Sequence, residues 1–294
     1  MRKSFRLLPL ILALALLCAC TGGGNATVQG SISPSASETA GASPSAEITA
    51  APSSPAASQA PVDNTARCRV FRTFLSDNYK ALSEAFNDGI SGIGFIDLDC
   101  DGGIEMVLFD SGASAALGAE FFDIVNGSVE CVSSNLEAVG KTFGGGHLSD
   151  VTVNANRFDD FRLMKDAKTG KSFFVVESGN GALDFKYTEL IRFGCGDDDV
   201  LTLKSLFYDH QDLDDDGNVT AENWKLDGES ATKAEYDAAS KDFDKNASDQ
   251  KYTAAGVFLW DSAANYESSE AGLQQMAEKA FSLWQANEGA DNAG

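Results

Sequence analysis

The distribution of proline divides this chain more sharply than any other feature of its sequence. All six prolines lie at or before Pro61, and none occurs in the remainder of the 294 residues. Residues 20–64 consist mainly of Gly, Ser, Ala, Thr and Pro, without any aromatic residue, Lys or Arg. Such a segment cannot bury enough apolar surface to form a core. We therefore predict a disordered linker over residues 20–64, a globular domain over 65–288 and a disordered tail over 289–294.

The charge of the chain limits its partners. It carries 44 acidic against 22 basic residues, for a formal net charge of −22. A surface this acidic repels phosphate backbones and anionic lipid heads, which excludes nucleic acid as a partner and favours cations. The hydrophobic content of 43% is that of a folded chain, and the domain is long enough to bury a core.

Turn and helix signals in the domain predict its fold class. Helical spacing of Phe71, Leu75 and Leu82 predicts a helix over residues 67–87. Asn126-Gly127 and the segment 166–170 are typical of hairpin turns between strands. Two helices are predicted near the carboxyl end, one with a capping box at Thr232 and Glu235, the other opening at Ser268 or Ser269.

Strands linked by hairpins favour an antiparallel sheet. The predicted fold class is therefore α+β, with a largely antiparallel sheet of hairpins, an N-terminal helix and C-terminal helices. On the last helix, an apolar stripe is expected to pack into the core. It consists of Leu273, Met276, Ala277, Ala280, Phe281 and Trp284.

The first twenty residues have the pattern of an export signal. Basic residues precede an apolar run over residues 7–17, which is too short to span a bilayer. The following Leu17-Cys18-Ala19-Cys20 resembles the lipobox of bacterial lipoproteins, in which the signal is cleaved before a cysteine that then receives lipid. The resemblance implies a signal peptide over residues 1–19 and lipidation of Cys20. The mature protein would be extracytoplasmic and anchored to the bacterial membrane through that lipid.

An acidic loop in the domain carries the clearest chemical signal. Asp97, Asp99, Asp101 and Glu105 occupy loop positions 1, 3, 5 and 9, with a glycine at position 6. Carboxylates at this spacing can converge, and hard oxygen ligands suit Ca²⁺. The alternative is a solvated acidic hairpin turn.

This loop resembles the D-x-D-x-D-G-x-x-[DE] calcium loops of integrin-type repeats. It is also similar to the first halves of EF-hand and dockerin loops, and to an acidic loop of secreted Gram-positive-type lipoproteins. The resemblance implies calcium as the cofactor, held by Asp97, Asp99, Asp101 and Glu105 and by the carbonyl of Gly103. The sequence departs from an EF-hand at position 12, where Leu108 replaces the bidentate acid.

A second loop shares part of this pattern. Asp212, Asp214 and Asp216 occupy positions 1, 3 and 5, but Thr220 stands at position 9. They form a possible second metal site, and a polar hairpin loop is the alternative.

Four cysteines follow the predicted linker: Cys68, Cys100, Cys131 and Cys195. An even number outside the cytosol permits two disulfide bonds. Buried thiols are the alternative, because a domain of this size does not need crosslinks.

These observations indicate a cell-surface lipoprotein with a calcium-stabilised extracytoplasmic domain. We expect a non-catalytic binding or structural module whose extracellular protein partner or ligand the sequence does not identify. The alternative is an extracellular hydrolase that uses a pair of carboxylates on cell-wall glycan, which requires two acids at a defined separation.

Overall fold

Tight turns join consecutive strands along most of the domain. Between two of them, Leu117–Val125 (β3) and Ser128–Cys131 (β4), Asn126 and Gly127 both have positive φ, at 50° and 82°. A two-residue turn needs left-handed backbone at both positions to match the twist of the strands, which Asn and Gly tolerate. The hairpin predicted at this dipeptide is confirmed.

The computed structural model describes residues 62–86, 89–110, 117–134, 136–138, 141–144, 153–155, 161–196, 198–250, 258–260 and 269–291. The predicted signal peptide, Cys20 and nearly all of the predicted linker lie outside these residues. Three described helices span Asn64–Ala85 (α1), Lys233–Asn246 (α2) and Glu270–Asp291 (α3). No helix among the described residues is long and apolar enough to cross a membrane.

The first sheet contains six described strands. Its path runs β15-β1-β2-β3-β4, with β7 paired to β3. The remaining strands of this sheet are Ile90–Ile96 (β1), Glu105–Asp110 (β2), Val153–Ala155 (β7) and Phe258–Trp260 (β15).

The second sheet contains seven described strands in the order β13-β12-β11-β10-β9-β8-β14. They are Phe161–Asp166 (β8), Ser172–Gly181 (β9), Phe185–Cys195 (β10), Leu201–Leu213 (β11), Val219–Leu226 (β12), Glu229–Ala231 (β13) and Ala247–Asp249 (β14). A separate ribbon pairs Glu137–Ala138 (β5) with Lys141–Thr142 (β6). All described pairings between these strands are antiparallel, so the predicted α+β fold class with terminal helices is confirmed.

Both faces of the first sheet are buried. One face packs against α1 and α3, through side chains such as Phe71, Phe95 and Met276. The other packs against the second sheet, through side chains such as Phe121 and Phe193. The apolar stripe predicted on α3 contributes Leu273, Met276, Ala277 and Ala280 to the first of these cores, as expected.

Helix α2 covers the outer face of the second sheet. Its capping box at Thr232 and Glu235 is present as predicted. Phe243 packs against Met164, Phe173 and Val175 of that sheet, but no residue of α2 is itself buried. The helix therefore covers the sheet more loosely than α1 and α3 cover the first sheet.

Truncating Phe121 should destabilise the domain strongly. Its ring lies 5.1 Å from that of Phe193 and 6.2 Å from that of Phe161, so it joins the two sheets. We expect Phe121→Ala to lower the free energy of unfolding by about 3–5 kcal/mol. Urea denaturation measures this, with the exposed Val219→Ala as control, for which a change below about 0.5 kcal/mol is expected. A loss below about 1 kcal/mol for Phe121→Ala would contradict the interlayer packing.

Candidate metal centre

The acidic loop joins the two most completely buried strands of the first sheet. Ile96 and Glu105 form the last pair of the β1–β2 ladder, and the residues between them close the turn. Two of these have left-handed backbone, Cys100 with φ of 61° and Gly102 with φ of 97°. Glycine at position 6 of the loop thus permits the sharp turn on which the calcium prediction depends.

Aspartate side chains in the loop hold its backbone. Asp97 accepts hydrogen bonds from the amide of Asp101 through Oδ1 and from that of Gly102 through Oδ2, both at 3.0 Å. The amide of Asp101 also donates to Asp99 Oδ1 at 3.2 Å, and the amide of Gly103 donates to Asp101 Oδ1 at 2.6 Å. The aspartates therefore fold the turn around themselves and draw the carboxylates towards its interior.

Three of the predicted ligands converge. One oxygen from each of Asp97, Asp99 and Glu105 lies within 4.8 Å of the other two. Two ligands on opposite sides of a calcium ion, each at 2.3–2.6 Å, are about 4.6–5.2 Å apart. These three oxygens are thus close enough together to surround one such ion.

Asp101 belongs to a second group that shares Asp99. Its carboxylate oxygen, that of Asp99 and Sγ of Cys195 lie within 4.8 Å of one another. Cys195 ends β10, so the loop lies against the β10–β11 connection. The carbonyl of Gly103 as a calcium ligand stays a prediction.

A partly buried arginine, Arg67, links the loop to the rest of the fold. Glu105 is 1% exposed, and its Oε2 accepts a hydrogen bond from the amide of Leu98 at 2.8 Å. Arg67 of α1 donates from Nη2 to Asp123 Oδ1 at 2.7 Å, lies 3.5 Å from Glu105 Oε1, and donates from Nε to the carbonyl of Ile104 at 3.0 Å. The guanidinium thus offsets part of the negative charge beneath the loop.

Two further contacts fix the loop from neighbouring elements. Asn64, the first residue of α1, donates from Nδ2 to the carbonyl of Gly102 and accepts from the amide of Ile104, both at 2.9 Å. Asp123 Oδ2 accepts from the amide of Leu201 at 2.9 Å, which joins the first sheet to β11. The loop is therefore held on one side by α1 and on the other by the second sheet.

Burial and the charges of neighbouring carboxylates raise the pKa of two acids in this centre, Asp99 and Glu105. Burial, followed by the charge of Asp101, raises the pKa of Asp99 to about 7. Burial also raises the pKa of Glu105 well above its usual range, and the charge of Asp99 adds to the effect. Partial desolvation of its sulfur, together with the charges of Asp99 and Asp101, raises the pKa of the Cys195 thiol to about 12, although the residue as a whole is exposed. A divalent cation in the loop would relieve this repulsion, because it favours the ionised carboxylates.

The second acidic loop has another arrangement. Asp214 accepts hydrogen bonds from the amides of Asp216 and Asn218 at 3.0 and 2.8 Å, and from the side-chain amide of Asn218. Asp212 instead bonds to His210, at 3.1 Å. Neither group of metal-compatible side chains found in the described part of the chain includes Asp212, Asp214 or Asp216. The structure thus closes this hairpin with hydrogen bonds and does not gather its carboxylates.

Sequence reasoning missed four residues of the centre: Asn64, Arg67, Asp123 and Cys195. Arg67 lies on the predicted first helix, but nothing in its spacing distinguishes it from an exposed basic residue. Asp123 lies on the same face of β3 as the buried Phe121 and Val125, and a charged residue at such a core-facing position is a signal that could have been used.

The cysteines form no disulfide bond in the described structure. Cys68 and Cys131 are buried, whereas Cys100 and Cys195 are exposed. The prediction of buried thiols therefore holds for two of the four positions in this structure.

For the hydrolase alternative, the relevant feature is a carboxylate pair beside a cleft. Glu105 and Asp123 are both buried and share Arg67. Three cavities formed by described residues, of about 620, 350 and 270 Å³, are lined by neither of them. These cavities thus provide no support for a catalytic role of this pair.

Comparisons of the chain with protein-family models, with curated proteins and with solved structures found no match.

The pKa of Asp99 predicts how stability depends on pH when calcium is removed by a chelator. Because this pKa is about 7 in the folded state against an ordinary 3.8, the folded protein retains a proton that the unfolded chain releases between these values. The free energy of unfolding should therefore fall as pH rises from about 4 to about 7. Urea denaturation at a series of pH values measures the slope, which Asp99→Asn should reduce. An equal slope in Asp99→Asn would contradict this assignment.

Proposed function

We propose that this chain is a cell-surface lipoprotein, anchored to the bacterial membrane by lipid on Cys20. Its extracytoplasmic domain is stabilised by calcium in the Asp97–Glu105 loop and serves as a non-catalytic binding or structural module. The signal-like first twenty residues and the lipobox support the anchor. The acidic composition and the antiparallel domain that follows the linker are compatible with such a role.

The convergence of Asp97, Asp99 and Glu105 carries the calcium part of the proposal. Three carboxylates lie close enough to share one ion, and burial opposes the ionisation of Asp99 and Glu105 in its absence. An extracytoplasmic address supports the choice of metal, since extracellular calcium sites function with Kd values of about 10⁻⁴–10⁻³ M. Carboxylate and carbonyl oxygens favour Ca²⁺ over softer metals.

The position of the loop explains what calcium would do. The loop lies between α1 and the β10–β11 connection, and it ends at a strand buried on both faces. An ion held there would draw together carboxylates that otherwise repel at the junction of the two sheets. Calcium would therefore act on the stability of the domain, without taking part in a reaction.

Calcium should raise the thermal stability of the domain. At a concentration ten times its Kd, a ligand that binds only the folded state stabilises it by about 1.4 kcal/mol. Thermal unfolding of the protein with calcium and with chelator measures the shift, and calorimetric titration gives the Kd. We expect Asp99→Ala to abolish the shift, because it removes a ligand shared by both groups of side chains.

Two matched variants serve as controls for this experiment. Asp242→Ala removes an exposed carboxylate of α2, and Asp216→Ala removes one from the second loop. Both should leave the calcium shift unchanged. If calcium does not move the midpoint of the unaltered protein, or if Asp99→Ala retains the full shift, the calcium part of the proposal is wrong.

Lipidation of Cys20 has its own test. When the full chain is expressed in a bacterium, it should fractionate with the membrane and incorporate labelled palmitate. Cys20→Ser should lose the label and leave the membrane fraction, since the acceptor thiol is absent. Cys18→Ser is the matched control and should behave as the unaltered chain. If Cys18→Ser leaves the membrane fraction while Cys20→Ser remains in it, the lipid is on Cys18 and the proposed lipidation of Cys20 is wrong.

A further inference from the structure

A cavity beneath α2 is lined by aromatic side chains. Its volume is about 270 Å³, and it lies where the helix crosses β8 to β11 of the second sheet. Phe207 of β11 and both Tyr236 and Phe243 of α2 line it. A volume just below that of pockets for drug-sized molecules restricts an occupant to a small molecule or head group.

The three rings meet at steep angles. Phe207 lies 5.7 Å from Tyr236 with an angle of 79° between the ring planes, and 5.6 Å from Phe243 with an angle of 74°. In an edge-to-face pair, the ring that offers its edge keeps both faces turned to the side. The three rings are therefore in mutual contact and form one aromatic wall of the cavity.

Lys and Arg side chains of the protein lie over aromatic rings outside this cavity. Among the described residues, four cation–π contacts join Lys141 to Phe143, Arg192 to Phe173, Lys225 to Tyr208, and Lys233 to Trp224. None involves a ring of this cavity. The neighbouring groove on the other side of α2 contains one of these internal cations, because Arg192 lies 4.2 Å from the centre of the Phe173 ring.

The charges around the cavity favour a positive occupant. Glu177 and Asp244 line it, against one basic residue, Arg162. Arg162 lines the cavity from β8, whereas Phe207 lies on β11, three strands away in the sheet. Glu189 also lines the cavity, and its carboxylate accepts a hydrogen bond from Ser205.

An unsatisfied acceptor lies beside the aromatic wall. Asp209 is two residues from Phe207 on the same face of β11, and it pairs across the sheet with Thr188, which lines the cavity. Its Oδ1 is buried, and no described residue donates a hydrogen bond to it. Lys233 and Lys186 attract the Asp209 carboxylate electrostatically, and Lys233 is also bonded to Asp237 at 3.0 Å. A buried carboxylate oxygen in this position is favoured by a positive charge or a donor close to it.

We propose that this cavity binds the ammonium group of a small soluble organic cation, of the choline or alkylammonium class. The ring faces of Phe207, Tyr236 and Phe243 would attract the charge through their quadrupoles, and Asp209, Glu177 and Asp244 would complement it. This assigns a ligand class to the binding module. It does not depend on calcium, because no residue of the Asp97–Glu105 loop lines the cavity.

Titration of the full-length chain with choline tests the proposal. Choline should bind saturably in calorimetry, whereas its neutral isostere 3,3-dimethylbutan-1-ol, which has the same shape without the charge, should not. Binding should persist in chelator, which separates this result from the calcium experiment. Equal binding of choline and the isostere, or no saturable binding of choline in the millimolar range, would overturn the proposal.

Variants locate the site on the protein. Tyr236→Leu removes one ring and should weaken choline binding between about two-fold and about thirty-fold, the range expected for one cation–π contact. Asp209→Asn should weaken it as well, and more strongly at low ionic strength. Phe185→Leu is the matched control, because the Phe185 ring stacks on His210 outside the cavity. The affinity of this variant for choline should equal that of the unaltered chain.

A folding check accompanies the binding measurements on the variants. Circular dichroism verifies that the variants fold; if Tyr236→Leu does not, the comparison of choline with its isostere on the unaltered chain still decides. Full affinity in both Tyr236→Leu and Asp209→Asn would place the binding elsewhere and overturn the assignment. Binding to phosphatidylcholine vesicles without binding of free choline would exclude a soluble cation.

Discussion

Like charges held together against their repulsion are the central constraint on this domain. Asp97, Asp99 and Glu105 approach one another at the end of a sheet that is buried on both faces. The fold keeps them there with backbone amides and with the single guanidinium of Arg67. Removing one buried partner of such a network leaves the others uncompensated. The buried carboxylates at the junction between the two sheets therefore need compensating donors or positive charge, which apolar packing does not supply.

The same network explains how distant parts of the chain meet. Asp123 accepts from Arg67 of α1 on one oxygen and from the amide of Leu201 on the other. One buried carboxylate thus connects the first helix, the first sheet and the second sheet. Since its partners lie on separate elements, the loop and both layers are expected to order together.

Local signals allowed the sequence to predict much of this architecture. Asn126-Gly127 and the capping box at Thr232 are encoded by neighbouring residues, and so is the convergence of Asp97 with Asp99 within one loop. Cys195 could not be placed in the same way, because its contact with Asp99 depends on how the two sheets stack. The short strands β5, β7 and β15 also escaped prediction, since two or three residues carry no usable periodicity.

The charge of the chain takes on a more specific meaning in the structure. A net charge of −22 favours cations in general, but it does not say where they bind. The structure contains two different settings, one of converging carboxylates and one of aromatic rings near Asp209. The cations that we propose for them differ accordingly, a hard metal ion in the first and a soft organic ion in the second.

The first and last helices cover the same face of the first sheet. Arg72 of α1 bonds to Gln274 of α3 in both directions, across a separation of 202 residues, and Ser76 bonds to Glu270. Contacts between segments so far apart in sequence form only after the intervening chain has been closed into a loop, which slows folding. The helical cover on this face of the first sheet consequently stays incomplete until α3 has been synthesised. A nascent chain stalled before residue 270 would expose that apolar sheet face to proteases and to other unfinished chains.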